Sequence, residues 1–118
     1  MAEVAELAQV TQVVKTYISA YNETDPDLKR QKMEDSFARD GRYTSEDGEI
    51  GFDRVLEMAG EFHRKAVMEI VGEIRTWNEY AAFRWRFVTH DGSREVGGVD
   101  LCEIGPDGRL KNVTVFFD

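Results

Sequence analysis

Two Asp-Gly pairs, Asp91-Gly92 and Asp107-Gly108, cut the second half of the chain into strand-length pieces. Asp-Gly suits the tight reversal of a β-hairpin, because glycine takes the positive φ that the favoured turns need. The pieces they separate are Tyr80 to Thr89, Glu95 to Ile104 and Leu110 to Phe117, all rich in aromatic and β-branched residues. They are expected to form an antiparallel meander, and a further strand is expected from Val67 to Thr76. A chain with this second half must bury one face of a sheet against something else.

The first half supplies the cover. Val4, Leu7, Val14, Tyr17, Ile18 and Tyr21 recur at helical spacing, with Glu3, Glu6, Gln12, Lys15 and Ser19 on other faces. This pattern predicts a helix from Ala2 to Tyr21 with Tyr17 on its buried stripe. Asp25-Pro26 places a capping carboxylate before a proline, the start signal of a second helix, expected over Pro26 to Ala38. Leu28, Met33 and Phe37 are its expected core contacts, and Arg30 and Glu34 an expected surface pair. Asp40-Gly41 breaks it, Arg42-Tyr43-Thr44 reads as a brief strand, and Glu46-Asp47-Gly48 reads as a turn. A third helix is expected from Phe52 to His63, with Val55, Leu56, Ala59 and Phe62 on its apolar face. Helices first and strands after predict an α+β fold, not alternating α/β. With 118 residues and no linker, repeat or low-complexity tract, residues 1–118 read as a single domain.

The charge balance limits the partners. Fifteen basic against 23 acidic residues give a formal charge of −8, which opposes binding to nucleic acid or to anionic lipid. The single cysteine, Cys102, cannot form an internal disulfide, so a reducing compartment is expected. The first residues are acidic where a signal peptide is basic, and no stretch approaches the roughly 18–20 apolar residues of a membrane span. These features predict a cytoplasmic protein. His63 and His90 form no metal-ligating spacing, and no phosphate loop or nucleophile elbow is present, so neither metal nor organic cofactor is expected.

Strand alternation selects the chemically interesting residues. Ala81, Phe83, Trp85 and Phe87 share one side of their strand, and Arg84 and Arg86 the other. Asp100 shares its side with Gly98, Cys102 and Ile104, while Glu103 lies with Val99 and Leu101. Cys102 and Ile104 suit a core and Glu103 does not, which turns Asp100 inward. A desolvated carboxyl titrates upward, and in its neutral form it donates a hydrogen bond to a carbonyl or enolate oxygen. A phenol at Tyr17 supplies a second donor of the same kind. The plainer readings are a packed core tyrosine and an aspartate held by an arginine or a helix end. Tyr21, Phe37, Tyr43, Phe62, His63, Phe83, Trp85 and Cys102 are expected to line the pocket around Asp100 and Tyr17. Cys102 is expected to act as a small hydrophobe. Arg84, Arg86, Glu69, Glu73 and Glu103 are expected on the outer sheet face, as cross-strand ion pairs or as the polar rim of an interface with Val99, Leu101 and Phe116.

Several segments in order resemble a SnoaL-like member of the nuclear-transport-factor-2-like superfamily. They are Tyr17-Ile18-Ser19-Ala20-Tyr21, Asp25-Pro26, Phe37-Ala38-Arg39-Asp40-Gly41-Arg42-Tyr43, Gly51, Phe83-Arg84-Trp85, Gly98-Val99-Asp100 and Asp107-Gly108-Arg109-Leu110. The resemblance covers almost the whole chain. It implies a cone-shaped, curved mixed or antiparallel sheet wrapped around the N-terminal helix, with a single deep pocket and homodimers packed through their sheets. Enzymes of this superfamily include ketosteroid isomerases, polyketide cyclases, dehydratases and epoxide hydrolases, and other members bind ligands or partners without chemistry. By the resemblance, Tyr17 and Asp100 match the oxyanion-binding pair of the isomerases, and Asp100 lies at or near the acid of the cyclases. The isomerase base falls near Ser45, with Glu46 and Asp47 just beyond it, and no Asp-Arg-Asp set of the hydrolase type is found. Three functions are therefore expected to compete. One is an isomerase-, cyclase- or dehydratase-like enzyme acting on a small apolar carbonyl compound. The others are a non-catalytic ligand-binding domain and a dimeric interaction module of the same fold.

Overall fold

Helix α1 (Ala2–Asn22) carries the apolar stripe that the sheet needs as cover. A computed structural model describes the backbone of residues 2–118 and the side chains of residues 8–118. Val10, Val13, Val14, Tyr17, Ile18 and Tyr21 are buried along one side of α1, whereas Gln12 and Lys15 are exposed. Val4 and Leu7, which extend the same stripe in the sequence, lie outside the described side chains.

Helix α2 (Pro26–Ser36) starts as its sequence predicts and ends sooner. The Asp25 carboxylate accepts the backbone N–H groups of Asp27 and Leu28 at 2.9 and 3.1 Å, satisfying donors that the first turn leaves free. At the other end the Ser36 hydroxyl donates to the Lys32 carbonyl at 2.7 Å and the chain turns extended at Phe37. Phe37 and Ala38 therefore belong to strand β1 (Phe37–Ser45) and not to the helix. Phe37 gains a strand partner in Leu110 and a stacked ring in Tyr17, which outweighs one more helical turn. The strand then bulges before Arg42, and Gly41 permits this, because a Cβ there would come within 2.9 Å of the Ala38 carbonyl oxygen.

The inward side of α2 also differs from expectation. Leu28 is 52% exposed, and its neighbour Lys29 is 4% exposed. The Lys29 ammonium donates to the carbonyls of Ala20 at 2.7 Å, Tyr21 at 3.2 Å and Ala59 at 3.2 Å. Two helices, α1 and α3 (Phe52–Phe62), end there; the Ala20 and Tyr21 carbonyls have no backbone donor, whereas that of Ala59 also accepts the His63 N–H at 3.3 Å. Three N–H donors meet three carbonyls of two last turns, and the negative ends of two helix dipoles favour the charge. Burial pulls the Lys29 ammonium down to about 8, which leaves it largely charged at neutral pH. The expected Arg30–Glu34 pair does not form, and Glu34 instead meets Arg39 at 3.8 Å.

The remaining strands are β2 (Gly48–Ile50), β3 (Ala66–Trp77), β4 (Tyr80–Thr89), β5 (Glu95–Ile104) and β6 (Leu110–Phe117). They form one mixed sheet in the order β2-β1-β6-β5-β4-β3, with β1 parallel to β6 and every other pair antiparallel. The sheet is curved and unclosed, with β2 and β3 at its edges. Curvature is aided in β3, where the register shifts after Val71 and Gly72 takes φ +77. Asn22 ties the end of α1 to this edge strand. Its amide donates to the Met68 carbonyl at 2.7 Å and accepts the Met68 N–H at 2.8 Å, as a neighbouring strand would.

Alternation places Ala81, Phe83 and Trp85 in the core and Arg84 and Arg86 outside. On the outer face Arg86 pairs with Glu69 and, at 3.2 Å, with Glu95, while Arg84 meets Asp118 at 3.1 Å. Glu103 accepts from the Asn112 amide at 2.6 Å. Among the described residues, no helix is long and apolar enough to cross a membrane.

Lys29→Met keeps the aliphatic stem and removes the three donors. It is expected to lower the unfolding free energy by about 2–4 kcal/mol, since the Ala20 and Tyr21 carbonyls lose their partner and the Ala59 carbonyl keeps only the His63 N–H. Urea denaturation at pH 7 measures this, and an unchanged midpoint would contradict the clamp.

Candidate functional site

Asp100 enters the interior through the pleat of β5. Gly98, Asp100 and Cys102 are buried on the inner side, and Leu101 is exposed on the outer side. Asp100 stands directly across from Phe83 on β4, and Gly98 stands across from Trp85. Gly98 decides what Trp85 can do. A Cβ at position 98 would lie 2.6 Å from the indole ring and 2.4 Å from the Phe116 carbonyl oxygen. With no side chain there, the indole lies over β5 and its Nε1–H donates to Asp100 Oδ1 at 2.7 Å. Asp100 is 4% exposed and makes no ion pair among the described residues.

Above this pair lies a cavity of about 120 Å³. It is lined by Tyr17 and Tyr21 from α1, Tyr43 from β1, Met58 and Phe62 from α3, Met68 from β3, Trp85 and Phe87 from β4, Asp100 from β5 and Phe117 from β6. Tyr17 and Tyr21, one helical turn apart, share a hydrogen bond of 2.8 Å between their hydroxyls. One of those two protons is therefore left for another acceptor. The Tyr43 hydroxyl has no hydrogen-bond partner among the described residues, and it borders the cavity. Burial raises all three phenols above their usual range, so they stay neutral donors. Burial also pushes the Asp100 carboxyl up to about 7, against the opposing pull of the Trp85 hydrogen bond.

Asp100, Tyr17, Tyr21, Tyr43, Phe62 and Trp85 thus meet around one cavity. Four other residues expected there do not line it. Phe37 is fully buried behind Tyr17, between that ring and Phe52. Phe83 and Cys102 face inward, but toward the Ala81 end of the sheet, which the cavity does not reach. His63 follows Phe62 and is rotated off the cavity by one helical step. Its carbonyl accepts the His90 Nε2–H at 2.8 Å, tying it to the β4–β5 turn, and its own Nδ1 is buried without a partner.

Phe87, on the inner side of β4, completes the lining together with Met58, Met68 and Phe117, and the last three were not singled out from sequence. Each carried a usable signal: Met58 precedes Phe62 by one helical turn, Met68 alternates with Ala66 and Ile70, and Phe117 follows Val113 and Val115 on the inner side of β6. Ser45, Glu46 and Asp47 lie at the end of β1 and in the following turn, outside this cavity. Among the described residues the cavity therefore contains one carboxyl group, no histidine and no basic side chain. No group of three or more metal-binding side chains occurs among the described residues.

No protein-family model matches the chain, and no curated protein matches it in sequence. Solved structures do match. A SnoaL-like family protein from Agrobacterium tumefaciens, named as a candidate isomerase, is 25% identical with a TM-score of 0.80, over 94% of this chain and 98% of that one. A candidate ketosteroid isomerase from Kribbella flavida is 19% identical with a TM-score of 0.76, over 94% of this chain and 78% of that one. A nuclear-transport-factor-2-like protein of unknown function from Exiguobacterium is 16% identical with a TM-score of 0.72, over 90% of this chain and 98% of that one. These neighbours match the SnoaL-like, nuclear-transport-factor-2-like resemblance of the sequence, and they support an isomerase-like fold.

The Asp100 carboxyl titrates near 7 in the folded chain and near 3.8 when unfolded. Between those values the folded chain holds a proton that the unfolded chain has lost. The stability this group contributes is present below pH 3.8 and is lost as pH rises through 7, by about 4 kcal/mol in all. Asp100→Asn cannot ionise, so its stability relative to the parent should climb from pH 4 to pH 8 in urea denaturation. Parallel pH profiles for the two proteins would contradict a desolvated carboxyl.

Proposed function

We propose that this chain, built on the SnoaL-like fold, binds a small carbonyl compound in the Asp100 cavity and polarises its oxygen. The observation that carries this reading is a buried carboxyl with no cation partner, set among three neutral phenols. Protonated, Asp100 donates to a carbonyl oxygen, and Tyr17 or Tyr43 adds a second donor. Charge building on that oxygen in an enolate-like transition state is stabilised by donors already in place. An isomerisation, cyclisation or dehydration proceeds through such a state.

The size of the cavity narrows the substrate. A dry cavity of ~150 Å³ holds a benzene-sized guest, so a space of about 120 Å³ suits one ring or a short branched chain. A steroid does not fit without rearrangement. Among the lining residues there is no second carboxylate or histidine to take a carbon-bound proton while Asp100 holds its own, so the reading requires only binding and polarisation of the carbonyl. This also leaves a non-catalytic binding role standing as the alternative.

The outer sheet face supports a second part of the proposal, a homodimer. Val71, Leu101 and Phe116 are exposed there, rimmed by Arg84 and Arg86 with their acidic partners. Trp77 and Tyr80, also exposed, border a shallow depression on the same side. Two copies meeting through these faces would cover the apolar residues and leave the ion pairs at the rim.

Cyclohexanone and cyclohex-2-enone are suitable probes, with binding followed by ligand-observed NMR. Affinity is expected to fall up to about tenfold per pH unit above 7, where the proton is lost. It should become flat with pH in Asp100→Asn and drop about fivefold in Tyr17→Phe, which loses one hydrogen bond. Affinity independent of both substitutions would remove Asp100 from the proposal. Separately, Leu101→Glu with Phe116→Glu is expected to convert a dimer to a monomer in sedimentation, and a monomeric parent would dismiss the dimer.

A further inference from the structure

The walls of the cavity are as unusual as its carboxyl. Seven of the ten lining side chains are aromatic, two are methionines and the tenth is Asp100. Several neighbouring rings meet at right angles, 88° for Tyr21 with Phe62, 88° for Phe62 with Phe87 and 90° for Trp85 with Phe117, while Trp85 and Phe87 are stacked at 7°. Rings set this way present π faces as well as edges to the space between them. A π face carries negative potential and attracts a cation, most strongly where water is excluded.

The charge balance of the cavity points the same way. Once ionised, Asp100 has the Trp85 N–H as its one hydrogen-bond partner and no positive side chain in contact, among the described residues. The titratable groups around it are Tyr17 and Tyr21 on α1, Tyr43 on β1 and Cys102 on β5, and burial keeps each of them neutral through pH 8. A buried anion without a counter-charge is costly, and a ligand carrying a positive charge removes that cost. An anionic ligand would meet the repulsion of the ionised carboxylate. The space of about 120 Å³ accommodates a cation of about five to eight non-hydrogen atoms.

We propose that the cavity is an aromatic cage for a small alkylammonium ligand, with the Asp100 carboxylate as its counter-ion. This goes beyond the carbonyl reading, because it uses the ionised form of Asp100 and requires no reaction. The two occupants exclude each other and have opposite pH dependence. A ketone needs the proton on Asp100, and an ammonium needs it gone.

The full-length chain carrying Trp77→Phe serves for the test, since Trp85 is then its only tryptophan. Trp77 is 74% exposed, so its replacement leaves the interior intact. Trp85 fluorescence is followed on addition of tetramethylammonium chloride, choline chloride and 3,3-dimethylbutan-1-ol, the uncharged isostere of choline. Sodium chloride at matched ionic strength is the blank, and each titration is run at pH 6 and pH 8. Both organic cations should bind. Choline should bind at least about tenfold tighter than its isostere at pH 8, and that advantage should shrink severalfold at pH 6. Asp100→Asn should abolish the advantage. Phe117→Leu, which keeps bulk and loses a π face, should weaken choline more than the isostere, and it decides the matter if the Asp100 variant does not fold. Equal or tighter binding of the uncharged isostere at pH 8 would overturn the proposal. So would failure of either cation to bind, or a charge preference unmoved by both substitutions.

Discussion

The hydrogen bond from the Trp85 indole to Asp100 holds a carboxyl group in the buried interior of the sheet. Much of the interior is arranged to make that possible. Gly98 leaves the gap through which the indole crosses β5, since any Cβ would collide with the ring. The indole then takes one carboxyl oxygen at 2.7 Å. Among the described residues no lysine or arginine on the surrounding elements reaches the group, so desolvation dominates its titration and holds it near neutrality. A carboxyl placed this way is available as a donor or as an anion depending on conditions. Both functional readings rest on that property, one on each protonation state.

The frame around the cavity is fastened by polar groups that do not enter it. Lys29 joins the last turns of α1 and α3 through three carbonyls, and these turns carry Tyr21, Met58 and Phe62 to the cavity wall. Asn22 joins α1 to β3 through both backbone groups of Met68, another wall residue. A helix that packed by apolar contacts alone would be free to slide by small amounts. These directional bonds fix the helices relative to the sheet and so set the width of the space between them.

The sheet was largely legible in the sequence. Aromatic and β-branched runs between Asp-Gly turns gave β4, β5 and β6 at their observed limits, and pleat alternation turned Asp100 and Trp85 inward. Local rules failed where a distant partner decided the outcome. Phe37 and Ala38 read as helix because their pairing with β6 is some 70 residues away, and only the fold brings Leu110 beside them. Leu28 and Lys29 exchanged expected places for a similar reason. Hydropathy favours the leucine, but the three carbonyls that lysine satisfies belong to other helices. At the cavity, the residue types were visible but its extent along the strands was not, which is why Phe83 and Cys102 were placed on a wall that does not extend to them.

Asp100 is desolvated, has no cation beside it among the described residues and therefore titrates near neutrality. A pH titration of the Asp100 side-chain carboxyl by carbon-13 NMR in aspartate-labelled protein, assigned with Asp100→Asn, tests this. One resonance, absent from the variant, is expected with a midpoint near 7. A midpoint near 4 would mean that water or an unrecognised partner reaches the carboxyl, and the cavity would lose the group on which its chemistry depends.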